Sequence, residues 1–210
     1  QLRYVDCLEK TNQTKDAEKF LKKLISNSND FDYTIALGDL YDRTERSSQT
    51  EKLYNERIKQ VTSNGYEVVE LYNSFIKKGK VDWGLKTLES GRKELKKSYP
   101  LQVQFAEVYS LLGRTDEMID EYFEVLDLYP NYASNIQNAL TKQIDFTEDK
   151  TGVYQKLKEK LIELKIPAEQ IKIKTANINE IKGLDLMSKD CEVRYIITIN
   201  ALKEGWDCPF

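Results

Sequence analysis

One residue spacing governs most of this chain. Val5, Gly38, Tyr72, Ala106 and Leu140 follow one another at steps of 33, 34, 34 and 34, and Tyr4, Leu37, Leu71, Phe105 and Ala139 run at the same steps. Three residues after the first set stand Leu8, Tyr41, Phe75 and Tyr109. Later in each unit come Ala17, Thr50, Gly84 and Met118, then Leu21, Tyr54, Leu88 and Tyr122. Columns that recur at one period mark stacked repeats, each too small to bury its own apolar face and obliged to pack on its neighbours.

Within a unit the column spacings place the first three sets on one face of a helix. The second helix carries a small or medium residue, which permits close approach, and a bulky residue one turn later. Each unit therefore reads as a pair of helices. The turns agree: Gly79 and Gly113 fall where a first helix must end, and glycine takes the left-handed cap geometry freely. Thr115 and Asp116 are placed to cap the next helix, and Pro100 and Pro130 lie near unit boundaries. The aromatic column Tyr41, Phe75 and Tyr109 is expected in the core rather than as a stacking platform for bases.

Composition narrows the function. Among 210 residues, 40% are hydrophobic and 32% charged, and the net charge of −3 offers no basic field to nucleic acid. The absence of histidine removes Ser-His-Asp and Cys-His sites and histidine-ligated metals. The cysteines Cys7, Cys191 and Cys208 form no CxxC pair, which suits a reducing compartment. No apolar run approaches the ~18–20 residues that span a bilayer. The expected location is cytoplasmic.

The repeat stretch resembles the tetratricopeptide repeat family, most clearly in LLGRTDEMIDEYFEVLDLYPNY, Leu111 to Tyr132. The resemblance covers about residues 1–145 as four units and the first helix of a fifth, and the repeat domain is expected to span residues 1–147. It implies a superhelix of antiparallel helix pairs. Thr50 and Met118 stand where the family prefers alanine, and its terminal proline is present only as Pro130, with Asn29, Thr62 and Lys96 at that position in the first three units.

The resemblance also implies that the first helices line a concave groove for a protein or peptide segment. Its facing positions would be Asp6, Asp39, Asn73 and Glu107, then Glu9, Asp42, Ile76 and Ser110, with Leu2, Ile35, Val69 and Val103 as an apolar line. Asp6, Glu9, Asp39 and Asp42 then form an acidic cluster. It reads either as a dock for a partner with basic and apolar residues or as an ordinary solvated face.

After residue 147 the pattern changes. Gly152 to Lys165 reads as an amphipathic helix stopped by Pro167, Ile171 to Thr175 alternates like a strand, and Val193 to Ile199 is a β-branched run typical of a buried strand. Residues 148–210 are expected to form a small α/β fragment of one helix and two parallel strands. The run TINALKEGWDCPF, Thr198 to Phe210, resembles the fifth motif of superfamily 2 helicases. With the preceding residues it resembles the helicase subunit of type III restriction enzymes. That resemblance implies Thr198 and Asn200 near a nucleic-acid backbone, and Gly205 and Asp207 near a nucleotide.

These residues contain no GxxxxGK[ST] phosphate loop, no DExx box after a strand and no arginine-bearing sixth motif. Phosphoryl transfer would lack its electrostatic parts. The expected function is a non-enzymatic protein–protein interaction scaffold without cofactor or metal. The alternative is a fragment of an ATP-dependent DNA motor, inactive alone, with nucleic acid and ATP as partners only when other sequence completes it. The helix near residues 152–165 falls about where the second helix of a fifth unit belongs and could cap the array.

Overall fold

The structure is a computed structural model that describes residues 1–132, 135–136, 138–140, 153–163, 165–175 and 178–198. It is mainly helical. Helices α1 (Leu2–Lys10), α2 (Thr14–Asn27), α3 (Phe31–Arg43), α4 (Ser47–Val61), α5 (Gly65–Lys77), α6 (Val81–Leu95), α7 (Gln102–Leu111) and α8 (Thr115–Leu128) follow in order. After a short 3-10 turn at Pro130–Tyr132 come α9 (Val153–Glu163), a second such turn at Ala168–Gln170, and strands β1 (Ile171–Ile173) and β2 (Tyr195–Ile197). The chain divides into two compact units, Gln1–Leu112 and Gly113–Phe210, so α7 and α8 belong to different units. The expected boundary at residues 147 and 148 lies outside the described residues.

In the first unit each helix packs on the next in sequence, and α3 also packs on α5 and α4 on α6. This is the contact pattern of stacked helix pairs. The repeat columns form the core: Val5, Leu8, Ala17, Leu21, Leu37, Tyr41, Tyr54, Leu71, Tyr72, Phe75, Leu88, Phe105 and Ala106 are all buried. Tyr4 departs from its column at 55% exposed and makes an edge-on contact with Phe20 at 5.0 Å. Tyr41 and Phe75 of the aromatic column are buried and Tyr109 is half-buried, as a core role requires.

Two columns share one volume. A Cβ at Gly38 would fall 2.1 Å from the Tyr54 hydroxyl oxygen, so α3 carries glycine where α4 carries a tyrosine. That hydroxyl donates to the Ile35 carbonyl at 3.1 Å, which satisfies a buried polar atom. In the next pair the order is reversed, with Tyr72 in the first helix and Leu88 in the second, both buried. There α6 approaches α5 through glycines: a Cβ at Gly91 would meet Val68 Cγ1 at 2.7 Å. Thr50 holds the small-residue column by polar contact, its hydroxyl lying 3.0 Å from the Gly38 carbonyl and 2.7 Å from the Asp42 carboxylate.

The turns inside the pairs are also periodic. Asn12, Glu45, Gly79 and Gly113 all take positive φ, between 57° and 70°, at steps of 33, 34 and 34. The residue after each of the first three donates back five positions: Gln13 to Leu8, Arg46 to Tyr41 and Lys80 to Phe75, at 2.8, 2.8 and 3.0 Å. This is the bonding of a left-handed helix cap. Asp30 and Asn64, one step of 34 apart, cap α3 and α5 with side-chain oxygens that accept from Asp32 and from Tyr66 N–H. Thr115 is not the expected cap. It is the first residue inside α8, after Arg114, and no side-chain cap bond forms there.

In the second unit β1 and β2 pair in parallel, with Ile171, Lys172 and Ile173 opposite Tyr195, Ile196 and Ile197. Helix α9 packs on both strands and on α8. Tyr154 of α9 and Ile171 and Ile173 of β1 are buried. Lys156 and Lys160 pair with Asp116 and Asp120 at 3.2 and 2.8 Å, so α9 runs in the same direction as α8. Glu180 closes the other edge of β1: its carboxylate accepts from Ile173 N–H at 2.8 Å and pairs with Lys158 at 3.0 Å. Burial pushes this carboxyl up, but Lys158 and the backbone N–H outweigh it and hold it below the ordinary value. Both strands are shorter than expected, pairing over three residues each; beyond the end of β1, Lys174 bridges to Asn179.

Candidate functional site

The open face of the first helices is the candidate site. Asp6, Asn73 and Glu107 are exposed and Asp39 is half-buried, so the column one past the reference reaches solvent on each of α1, α3, α5 and α7. Of the next column, Asp42 is exposed and Glu9, Ile76 and Ser110 are half-buried. Ile76 packs toward the core instead: its Cδ1 lies 2.9 Å from where a Cβ of Gly84 would stand.

The apolar line is uneven. Val103 is exposed, Val69 and Leu2 are half-buried, and Ile35 has no exposed surface at all. Ile35 is therefore corrected from a groove position to a core residue. Ile35 belongs to the core cluster that also holds Tyr54, Ile58, Val68 and Leu71, and its carbonyl accepts from the Tyr54 hydroxyl.

The acidic cluster is largely neutralised from within. Arg43 donates twice to Glu9, at 2.6 and 2.8 Å. Lys80 lies 2.8 Å from Asp39 and 3.8 Å from Asp42. Lys77 reaches Asp32 at 2.7 Å, and this contact raises the lysine's pKa. Each tie joins one helix pair to the following one. Sequence reasoning weighed these acids without their cations. Lys10, Arg43 and Lys77 nevertheless stand in one column at steps of 33 and 34, one residue past Glu9, Asp42 and Ile76, and that basic column beside the acidic one was the available signal.

Tyr54 feels the same charges. Burial, followed by Asp39 and Asp42, pushes its phenol far above the ordinary value. Glu107 differs from the other acids. Its residue keeps solvent contact and its carboxyl stands 3.5 Å from the Tyr72 hydroxyl, with burial raising its pKa and no cation within 4 Å among the described residues.

Beside β1 a concavity of about 420 Å³ is lined by Glu169, Lys172, Leu184, Asp185, Cys191 and Val193, among others. Much of its polar equipment serves the loop itself. Asp185 accepts from Met187 N–H, Ser188 from Asp190 N–H, and Arg194 donates to the Cys191 and Val193 carbonyls. Of the helicase-like positions, Thr198 is half-buried directly after β2, whereas Asn200, Gly205 and Asp207 lie outside the described residues. Among the described residues no three His, Cys, Asp or Glu groups cluster to hold a metal, and no helix is long and apolar enough to cross a membrane. The chain matches no family model, no curated protein and no solved structure.

Proposed function

We propose that the chain is a non-enzymatic scaffold of the tetratricopeptide kind, which binds a protein or peptide segment along the open face of its first helices. One observation carries this reading. The periodic columns are used up as core, while Asp6, Asp39, Asn73 and Glu107 return to solvent at the same period. A repeat that offers a polar position at regular intervals on one face presents an extended partner with regularly spaced anchors. The array extends through residue 147 in this reading, with α9 as its cap. The lysine–aspartate ladder that sets α9 parallel to α8 supports that role. A cytoplasmic location goes with it, since unpaired cysteines suit a reducing compartment.

Selection of short random peptides on phage against the whole chain tests the reading. Enriched peptides should cross-link to α1, α3, α5 or α7. A selection that enriches nothing, or cross-links confined to α2, α4 and α6, would remove it.

A second reading, a piece of a helicase-like motor, is favoured by the parallel pairing of β1 with β2 beneath α9 and by the place of Thr198 after β2. It requires weak single-strand oligonucleotide binding that falls when Thr198→Val and Asn200→Ala are introduced. Binding indifferent to both substitutions would end it.

A further inference from the structure

The two halves of the open face are not electrically alike. On α1 and α3, Glu9, Asp32, Asp39 and Asp42 are answered by Arg43, Lys77 and Lys80. On α5 and α7, Glu70 and Glu107 have no cation within 4 Å among the described residues, and the two helices carry a single cation between them, Lys77, already spent on Asp32. The same stretch exposes apolar side chains: Tyr66 is 75% exposed, Val103 37% and Leu111 57%, with Val69 half-buried between them. Tyr66 and Val69 share a face of α5 with Glu70, and Val103, Glu107 and Leu111 are one turn apart on α7. The Tyr72–Glu107 contact joins the two helices.

We infer that the face formed by α5 and α7 is the docking surface, and that its occupant is a peptide segment in which lysine or arginine alternates with large apolar residues. This rests on the scaffold reading and supplies its partner's chemistry. The exposed apolar strip takes the partner's apolar side chains, and the two unanswered carboxylates take its cations. An acidic or purely polar segment gains nothing there, because Glu70 and Glu107 repel the first and the apolar strip stays wet under the second. Of the acids of α1 and α3, Asp6 alone stands without a cation within 4 Å among the described residues, and it has none of the exposed apolar strip beside it; at Glu9, Asp32, Asp39 and Asp42 a partner cation would have to displace Arg43, Lys77 or Lys80 from an existing pair.

The peptides enriched on the whole chain decide the matter. They should be rich in lysine or arginine and in leucine, phenylalanine or similar residues. One of them, synthesised with a fluorescent label, should lose affinity by about tenfold or more on the Glu70→Gln/Glu107→Gln double variant, and should weaken with added salt. Asp39→Asn/Asp42→Asn should leave affinity within about twofold. Both variants keep side-chain shape, and their circular dichroism should match the parent's.

Enriched peptides without a basic excess would overturn the inference and leave the scaffold reading standing. So would binding that ignores Glu70→Gln/Glu107→Gln or depends instead on Asp39 and Asp42. A selection that enriches nothing would remove both.

Discussion

The second helix pair, α3 and α4, and the third, α5 and α6, use the same columns to reach stability by different means. The second is tied to its neighbours by charge on both sides: Arg46 to Glu18 and Arg43 to Glu9 behind, Asp32 and Asp39 to Lys77 and Lys80 ahead. The third relies on close approach, with Gly84 and Gly91 of α6 set against Ile76 and Val68 of α5. Volume is also allotted in opposite order, Gly38 with Tyr54 in one pair and Tyr72 with Leu88 in the other. The third pair fits two large residues where the second sets a glycine against a tyrosine, so neither the size in one column nor the sum of the two is fixed from one repeat to the next. Polar ties stand in for intimacy where a tyrosine keeps the helices' contact crowded.

The largest way to break this comparison is Gly38→Ala. The added Cβ would collide with the Tyr54 ring end and displace its bond to Ile35. Overpacking and a lost buried hydrogen bond together outweigh the better helix propensity of alanine, for a net loss of about 2–3 kcal/mol. With Tyr54→Leu already in place, Gly38→Ala should become nearly neutral, a coupling of about 2 kcal/mol in a denaturant-melt double-mutant cycle. Additive losses would show that the two columns do not share their volume.

A smaller effect tests the charge ties. Glu18 accepts from Lys22 at 2.7 Å, from Arg46 at 2.8 Å and from the Tyr41 hydroxyl at 3.2 Å. The Lys22 ammonium, helped by Arg46 and opposed by burial, holds its carboxyl at about 2. A depressed folded-state pKa contributes stability that is complete above the unfolded value and is lost as pH falls toward the folded one. Glu18→Gln should therefore cost on the order of 1–2 kcal/mol near neutral pH, once solvent screening of these partly exposed groups is allowed for, and progressively less as the pH falls from about 4.5 to about 2. A cost that does not change across that window would place the role of Glu18 in packing and not in charge.

These comparisons also show what the residue order could reveal. The helix pairs and their buried columns were legible because a period of 34 repeats the same burial at Leu37, Leu71 and Phe105, and helical packing along a stack is local. The exchange between Gly38 and Tyr54 was hidden because each column, read alone, looks merely irregular. The ion pairs were hidden for a related reason: Lys80 sits in a turn, out of phase with the acids it serves. Ile35 was misplaced because its column tells which face it takes on α3 but not that α4 and α5 bring Tyr54, Ile58, Val68 and Leu71 into one core with it. In the second unit the parallel pairing was expected, whereas the strand ends depend on where the two strands overlap, which neither Ile171–Thr175 nor Val193–Ile199 states by itself.

The smallest effect lies in the turns that both pairs share. Glu45 adopts φ of 59° where Gly79 and Gly113 adopt 70° and 68°. A side chain with a Cβ is strained there by roughly 1–2 kcal/mol, and part of that gain on going to glycine is cancelled by the greater freedom of glycine in the unfolded chain. Glu45→Gly should raise stability by about 0.5–1 kcal/mol, and Gly79→Ala should lower it by about 1 kcal/mol, since nothing lies within 4 Å of a Cβ at Gly79 to add a clash. The two changes exchange the turn types of neighbouring pairs while leaving their packed faces alone. Opposite signs would show that the periodic left-handed turn is a strain term independent of the packing behind it. Equal signs would mean that the Glu45 side chain makes a contribution to the second pair that its backbone geometry does not reveal.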